Sequence, residues 1–250
     1  MFPVLQVGPL SIQAPGLFLL IGIWFGLMAA EKATKRTGVN PTEIGNLVFF
    51  AGIGTIIGAR LIFLLRYPNV FIDRPLNAFS LSPLMLDWEG GILVGALVAF
   101  VFIQHRNLSL WKVLDTFTPA FALMITAFGV SRLASGGGYG LPTSLPWGIY
   151  LWGAERHPTQ IYEAITGLGL FAITMRGVYA KESFPDGAMF LRFAMLSAGV
   201  NLFLDSLRAD TFLLQNGFHG VQIFSWLVLA ICSYLFARKM NNAEHVEYQT

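Results

Sequence analysis

The chain has 250 residues, of which 55% are hydrophobic and only 12% are charged, and its formal net charge is +2. Soluble globular domains carry about 25% charged residues, so this composition excludes an ordinary soluble domain and favours a protein embedded in a lipid bilayer. The small net charge offers no strongly basic surface, and nucleic acid is therefore not an expected partner.

Seven apolar segments approach the roughly 20 residues that a helix needs to cross the hydrocarbon layer. They predict transmembrane helices over residues 16–30, 45–65, 90–103, 113–130, 161–179, 187–204 and 221–236. Residues 75–87, before the third span, are apolar but interrupted by Pro and Ser, and we expect them to lie along the interface or to re-enter the membrane. The predicted fold is a single all-α polytopic membrane domain over residues 1–250.

The lysines indicate how these helices are oriented. They follow the odd-numbered spans, at Lys32, Lys35, Lys112, Lys181 and Lys239. Because loops rich in Lys and Arg stay in the cytoplasm, the N-terminus is predicted outside and the C-terminus, with a polar tail over residues 240–250, inside. Residues 132–158, a small loop region rich in Gly and Pro, are then extracytoplasmic.

Several arginines fall within or beside the apolar segments rather than in the lysine-bearing loops. Arg60 lies in the second span, Arg132 ends the fourth, and Arg208 follows the sixth. Three acids fall at a similar predicted depth: Glu89, Glu163 and Asp205. An ionised group at membrane depth costs about 2.5–3.5 kcal/mol on insertion scales, so such groups usually face a cavity or a partner.

These charges predict a polar pocket that opens toward the outer leaflet. The planar fork of arginine suits phosphate better than the point charge of lysine does, so an anionic phospholipid headgroup is an expected ligand. The alternative is that each arginine reaches for the interface or forms a structural salt bridge with one of the three acids.

The chain lacks the motifs of the common soluble enzymes. It contains no P-loop, no Gly-x-Ser-x-Gly turn and no metal-ligand spacing among its histidines, which are His105, His157, His219 and His245. We therefore expect neither a metal nor a cofactor.

Five short motifs surround the charged positions and are spread over nearly the whole chain. The most specific is residues 156–163, which read Arg-His-Pro-Thr-Gln-Ile-Tyr-Glu. The others are Arg60 within residues 58–61, Glu89 within residues 89–92, residues 132–140, and the pair Asp205 and Arg208. In these motifs the chain resembles the bacterial prolipoprotein diacylglyceryl transferases, with their Gly-x-Arg, His-Gly-Gly-Leu-x-Gly and Arg-His-Pro-Ser-Gln-Leu-Tyr-Glu patterns.

The resemblance implies a transferase of the bacterial plasma (inner) membrane. Its reaction moves the diacylglyceryl group of phosphatidylglycerol onto the lipobox cysteine in the signal peptide region of a prolipoprotein, forming a thioether and releasing glycerol phosphate. Such a site must hold a departing phosphate and take a proton from the incoming thiol. The nucleophile belongs to the substrate, so the single cysteine, Cys232, need not take part.

The resemblance also implies roles for individual residues. The catalytic residues would be Arg132 and Glu89. The phospholipid-binding residues would be Arg60, Gly90, Gly91, Gly140, Asp205 and Arg208. A structural motif would comprise Arg156, His157, Pro158, Gln160, Tyr162 and Glu163.

Four positions depart from the family pattern and leave three functions open. Glu89 stands in place of a histidine, Pro15 of a tyrosine, Ser135 of an asparagine and Asn201 of an arginine. The first function is a working transferase of a divergent branch that uses Glu89 as its base. The second is a lipid- or lipoprotein-handling relative with altered chemistry. The third is a catalytically inactive relative that acts as a lipid-binding scaffold subunit in a larger membrane assembly.

Overall fold

A computed structural model of the protein describes residues 3–8, 10–72, 85–180, 184–211, 213–214 and 217–247. Helices dominate these residues, and two short antiparallel hairpins accompany them. In chain order the elements are β1 (Val4–Val7), β2 (Leu10–Gln13), α1 (Ala14–Thr37), α2 (Pro41–Arg66), α3 (Asn69–Ile72), α4 (Trp88–His105), α5 (Leu110–Ser135), β3 (Ile149–Leu151), β4 (Ala154–Arg156), α6 (Thr159–Tyr179), α7 (Ala188–Asp205) and α8 (Gly220–Glu247).

Seven of these helices are long and apolar enough to cross a membrane: α1, α2, α4, α5, α6, α7 and α8. Each coincides with one predicted span, so the all-α, seven-helix prediction is confirmed. The helices generally extend beyond the apolar segments, and α8 continues to Glu247, through most of the predicted polar tail. The orientation stays a prediction, and both Lys181 and residues 75–84 lie outside the described residues.

The distribution of side chains is that of a protein surrounded by lipid. Large apolar side chains such as Leu20, Ile56 and Phe224 are mostly exposed, whereas Thr116 and Gln160 are fully buried. So much exposed apolar surface would be unfavourable in water, but it is favourable against the hydrocarbon of a bilayer.

The described residues fall into two compact units. The first comprises Met1–Thr37 and Leu114–Thr250, and it holds both hairpins, α1, most of α5, and α6 to α8. The second comprises Gly38–Val113 and holds α2, α3 and α4. Whether the chain behaves as the single domain predicted from the sequence stays a prediction.

In the first unit, small residues let α1 and α6 approach α5 closely. A Cβ atom added to Gly26 would lie 3.3 Å from the Cβ of Ala120, and one added to Gly129 would lie 2.7 Å from the backbone nitrogen of Ala164. Close backbone contacts of this kind drive helix association where no hydrophobic force operates between helices. The contact at Gly129 holds the C-terminal part of α5 against the first turns of α6.

A buried acid fixes the start of α7 against α5. Asp115 of α5 accepts hydrogen bonds from the backbone N–H groups of Gly187 (2.6 Å) and Phe190 (2.8 Å). The carboxylate thus serves the first-turn N–H groups of α7, which no intrahelical acceptor can satisfy.

In the second unit, α2 and α4 pack against each other. Asp87 accepts a hydrogen bond from the backbone N–H of Gly90 (2.8 Å) at the start of α4, and it pairs with Arg66 at the end of α2 (2.5 Å). One carboxylate therefore both caps a helix and holds two helix ends together.

Candidate active site

Three charged side chains from distant parts of the chain meet in the first unit. Arg132 lies in the last turn of α5, Glu163 in the second turn of α6, and Arg208 just after α7. Glu163 Oε2 is 2.8 Å from Arg132 Nη1 and 2.9 Å from Arg208 Nη2, and Arg132 Nη1 also donates to Oε1 (2.9 Å). One carboxylate thus serves two guanidinium groups, and the cluster keeps an excess positive charge that suits an anion.

Arg208 has hydrogen-bonding capacity that the protein does not use. Its side chain is only 10% exposed, and its Nε and Nη2 atoms are buried without a hydrogen-bond acceptor among the described residues. Nη2 is within ion-pair distance of Glu163, but its N–H groups are not aligned with that oxygen. A buried donor left unsatisfied costs about 1–3 kcal/mol, so these donors indicate a place for an acceptor that the chain does not supply.

A cavity of about 500 Å³ adjoins this cluster, with walls from α5, α6, α7 and α8. Its polar lining comprises Arg132, Glu163, Ser197, Asn201, Arg208 and Ser225. Its apolar lining includes Phe121, Phe190, Phe193, Val221, Phe224 and Val228. A space with both kinds of wall suits an amphiphile that carries a charged headgroup and a hydrocarbon part.

A second, larger groove in the first unit differs in chemistry. It measures about 950 Å³, lies between α6 and α7, and is lined almost wholly by apolar side chains, including Ile165, Met195 and Phe203. A groove of this kind can accommodate hydrocarbon but offers little to recognise a charged headgroup.

The glycine-rich loop, residues 136–140, packs directly on Arg132. Gly138 has a φ of +64°, and a Cβ atom there would lie 2.8 Å from Cδ of Arg132. Its backbone N–H donates to Asp210 (2.6 Å), and the side chain of Ser135 accepts from Gly137 at the end of α5. The loop therefore restricts where the aliphatic part of Arg132 can lie.

The run over residues 156–163 holds this loop in place. Thr159 Oγ1 donates to the carbonyl of Gly138 (2.5 Å), and Gln160 Nε2 donates to the carbonyl of Gly137 (2.9 Å). A Cβ atom on Gly140 would lie 2.6 Å from that of His157, so the backbone approach there requires glycine. The loop that confines Arg132 is thus itself fixed by the first turn of α6.

The remaining residues of this run have contacts of their own. Arg156 donates to the carbonyls of Leu151 (3.0 Å) and Gly140 (3.3 Å), and its guanidinium lies 5.0 Å from the ring centroid of Tyr139. The hydroxyl of Tyr162 accepts a hydrogen bond from Trp147 (2.8 Å), and Pro158 precedes α6 at its N-cap position.

Two acids have partners in the structure that differ from those expected from the sequence. Glu163, which the sequence put in the structural motif, is the carboxylate that both arginines contact. Asp205, which it put among the phospholipid-binding residues, is 1% exposed and accepts hydrogen bonds from Thr211 (2.6 Å) and from Nδ1 of His219 (2.9 Å). In the sequence, His219 stands out only as a potential metal ligand, and no motif indicates its pairing with Asp205. Within the described ranges, no group of three or more His, Cys, Asp or Glu side chains could hold a metal ion.

The other predicted site residues lie in the second unit. Arg60 Nη1 donates to the carbonyl of Met85 (2.8 Å), and Glu89 is exposed in the first turn of α4. Gly90 and Gly91 are where α4 approaches α2. That Arg60 borders the same cavity as Arg132 and Arg208 stays a prediction.

Comparison with known proteins agrees with this architecture. The family model described as prolipoprotein diacylglyceryl transferase matches residues 3–238. Three similar proteins carry the name phosphatidylglycerol–prolipoprotein diacylglyceryl transferase. The protein of Trichormus variabilis is 26% identical over 95% of this chain and 90% of its own length, that of Oleidesulfovibrio alaskensis 28% over 89% and 84%, and that of Cupriavidus pinatubonensis 31% over 74% and 70%.

The family match spans most of the chain. The seven apolar helices are consistent with a protein that crosses the membrane several times. Neither the names of these relatives nor the geometry of the described residues favours an inactive scaffold. The chain belongs to the prolipoprotein diacylglyceryl transferase family and is a multi-pass transferase of the bacterial plasma membrane.

Proposed function

We propose that the protein transfers the diacylglyceryl group of phosphatidylglycerol to the thiol of the lipobox cysteine in a prolipoprotein. The observation that carries the proposal is Arg208, whose buried Nε and Nη2 atoms lack a hydrogen-bond acceptor in the described part of the chain. The group lies beside Arg132 in a cavity that is polar on one side and apolar on the other.

The headgroup phosphate would accept hydrogen bonds from the two arginines. Guanidinium groups bind phosphate oxygens through charge-assisted and often paired hydrogen bonds, which fix both position and orientation. The hydrocarbon part of the lipid would lie along the apolar wall near Phe121, Phe193 and Val228. Glu163 contacts both arginines, so it would hold them in place without cancelling their combined charge.

The reaction exchanges one bond for another at the glycerol carbon attached to phosphate. The thiolate sulfur of the lipobox cysteine forms a bond to that carbon, and the carbon–oxygen bond to phosphate breaks. The electron pair of the broken bond goes to the phosphate, which leaves as glycerol phosphate. Fixed guanidinium groups stabilise the charge that develops there and so favour departure more than initial binding.

The remaining roles follow from the family resemblance and from the contacts described above. Gly140 belongs to the loop that confines Arg132, and Asp205 would act through His219 rather than by touching phosphate. In the second unit, Arg60, Gly90 and Gly91 are proposed to contact the phospholipid, and Glu89 occupies the position of the histidine in the family motif. The partner is the signal peptide of the prolipoprotein.

Transfer by the purified protein tests the proposal directly. The protein is placed in nanodiscs containing phosphatidylglycerol labelled in the glycerol of its diacylglyceryl group and is mixed with a lipobox peptide. We expect a labelled peptide whose thioether resists hydroxylamine, and no label on a peptide with serine in place of the cysteine. Absence of transfer by folded protein that binds phosphatidylglycerol would contradict the proposal.

A further inference from the structure

A buried carboxylate orients a histidine next to the elements that carry the candidate site. Asp205 lies at the end of α7, and its Oδ2 atom is 2.9 Å from Nδ1 of His219. Its Oδ1 atom accepts a hydrogen bond from the hydroxyl of Thr211. An ionised carboxylate can only accept hydrogen bonds, so the proton of a neutral imidazole lies on Nδ1. The Nε2 atom of His219 is then left with a lone pair that can accept a proton.

Close neighbours of Asp205 and His219 in the chain line the cavity of Arg132 and Arg208. Asp205 follows Asn201 by one helical turn and precedes Arg208 by three residues, and both of those residues line the cavity. On the other side, His219 directly precedes α8, whose Val221 and Ser225 line the same cavity. The side chain of His219 is 31% exposed, so a substrate group can reach it.

The charged groups around His219 leave Asp205 as its direct electrostatic partner. Arg208, the nearest arginine along the chain, is paired with Glu163. Asp210 accepts the backbone N–H of Gly138. Within the described residues, only Asp205 contacts the imidazole through a charged group.

We propose that His219, oriented by Asp205, is the general base that takes the proton from the lipobox thiol. This inference rests on the transfer reaction proposed above and concerns the same cavity. The S–H bond breaks and its proton goes to Nε2 of His219. The thiolate then attacks the glycerol carbon as the carbon–oxygen bond to phosphate breaks. The imidazolium, stabilised by Asp205, later returns its proton to the departing phosphate or to water.

The chemistry of the side chain favours His219 over the exposed carboxylate of Glu89. Histidine changes its charge near neutral pH and is the most frequent general base in enzymes, whereas an exposed carboxylate is a weak base toward a thiol. A buried carboxylate that holds Nδ1 is also the arrangement that fixes a catalytic imidazole in one tautomer and orientation.

The decisive variant is His219→Asn in the full-length protein, assayed by transfer from labelled phosphatidylglycerol to the lipobox peptide. The amide nitrogen of asparagine can take the place of Nδ1 and donate to Asp205, but asparagine offers no basic atom. We expect phosphatidylglycerol binding to persist while the transfer rate near pH 7 falls by about 10²- to 10⁴-fold. Thr211→Val is the matched control, because it removes the other hydrogen bond of Asp205 and leaves His219 in place.

The dependence of the rate on pH separates a base from a structural residue. Without a base, only the ionised fraction of the peptide thiol can react. The transfer rate of His219→Asn should therefore rise about tenfold per pH unit until the thiol ionises near pH ~8.5. The wild-type and Thr211→Val rates should rise much less steeply. For a variant that folds poorly, His219→Ala with added imidazole provides a second test, and imidazole should restore transfer.

The outcomes distinguish this inference from the proposed function. Wild-type transfer that His219→Asn leaves unchanged at every pH overturns the role of His219 and leaves the proposed function intact. If the transfer rate rises steeply with pH in Glu89→Gln but not in His219→Asn, the base is Glu89 instead. No imidazole rescue of His219→Ala, at equal folding, also counts against the proposal. Absence of transfer by the wild-type protein overturns both.

Discussion

Two ion-pair clusters, one in each unit, show how differently an arginine can be used. In the second unit, Asp87 pairs with Arg66 and also accepts the N–H of Gly90, and Arg66 is 53% exposed to its surroundings. In the first unit, Glu163 is shared by Arg132 and Arg208, and Arg208 is nearly buried yet keeps donors without an acceptor among the described residues.

The difference lies in what remains unsatisfied rather than in the amount of charge. Around Asp87, one carboxylate meets one arginine and the start of one helix, and an exposed guanidinium can complete its hydrogen bonds outside the protein. Around Glu163, two guanidinium groups share one carboxylate. Because Arg208 is buried, its remaining donors cannot form hydrogen bonds outside the protein. Unused donors in a cavity therefore distinguish an arginine that binds an anion from one that joins two helices.

Among changes to the two clusters and the loop beside them, the largest effect is expected from Arg132→Lys. Lysine keeps the charge but loses the planar fork, so the departing phosphate is poorly stabilised. We expect transfer to fall about 100- to 1,000-fold, as for removal of one donor that stabilises a developing charge. Arg66→Lys, assayed in parallel with labelled phosphatidylglycerol, should stay within about threefold of the wild type because its pairing is structural. Equal losses in the two variants would remove the distinction between the clusters.

Glu163→Gln should have the next largest effect, through the position of the two guanidinium groups. Hydrogen bonds to charged groups contribute about 1.5–3 kcal/mol, so a loss of roughly 10- to 100-fold in kcat is expected. The cluster also gains net positive charge, so the KM for phosphatidylglycerol should not rise. Glu155→Gln, at an exposed position of β4, is the control. A higher KM with unchanged kcat would mean that Glu163 acts on binding instead.

Gly138→Ala tests whether the glycine-rich loop controls Arg132. The added methyl group would crowd the side chain of Arg132, and the left-handed backbone would cost about 1–2 kcal/mol for a residue with a Cβ atom. We expect about a tenfold loss of transfer and a lower unfolding temperature. Gly137→Ala is closely matched, because a Cβ atom there meets nothing nearer than the Ser135 hydroxyl at 3.7 Å. A similar loss in both variants would show that the loop matters only for folding.

The smallest effect is expected from Asp87→Asn, which keeps a side-chain oxygen to cap α4 but loses the charge that pairs with Arg66. Ion pairs with one exposed partner contribute about 0–1 kcal/mol, so the stability measured by thermal unfolding should change by less than about 1 kcal/mol. Transfer per folded molecule should be unchanged. A large loss of transfer with unaltered stability would place a functional site in the second unit at Asp87.

The seven helices could be predicted from the sequence because a membrane-spanning helix carries its signal locally. About 20 consecutive apolar residues suffice, and no distant contact is needed to recognise them. The helix ends were less predictable. Both α1 and α8 continue beyond their apolar segments through polar residues, which can be hydrated outside the membrane. Arg132 and Arg208 could also be singled out, because a charge at the edge of an apolar segment is costly unless it has a use.

The partners of these charges could not be predicted from local sequence. Glu163 is 31 residues from Arg132, and the two meet only because small residues bring α5 and α6 together. The pairing of Asp205 with His219 depends on the path of the chain between α7 and α8, which no periodic pattern specifies. Motif resemblance could suggest that Glu163 and Asp205 matter, but packing decides which of them faces the arginines.

The pairing of Arg132 with Glu163 also bears on how the protein enters the membrane during synthesis. As α5 leaves the ribosome, Arg132 has no partner, and an unpaired charge at the end of an apolar segment is unfavourable in a membrane. Glu163 emerges 31 residues later, in the first part of α6. We therefore expect α5 and α6 to leave the translocation channel together as a helical hairpin, with their opposite charges already neutralising each other.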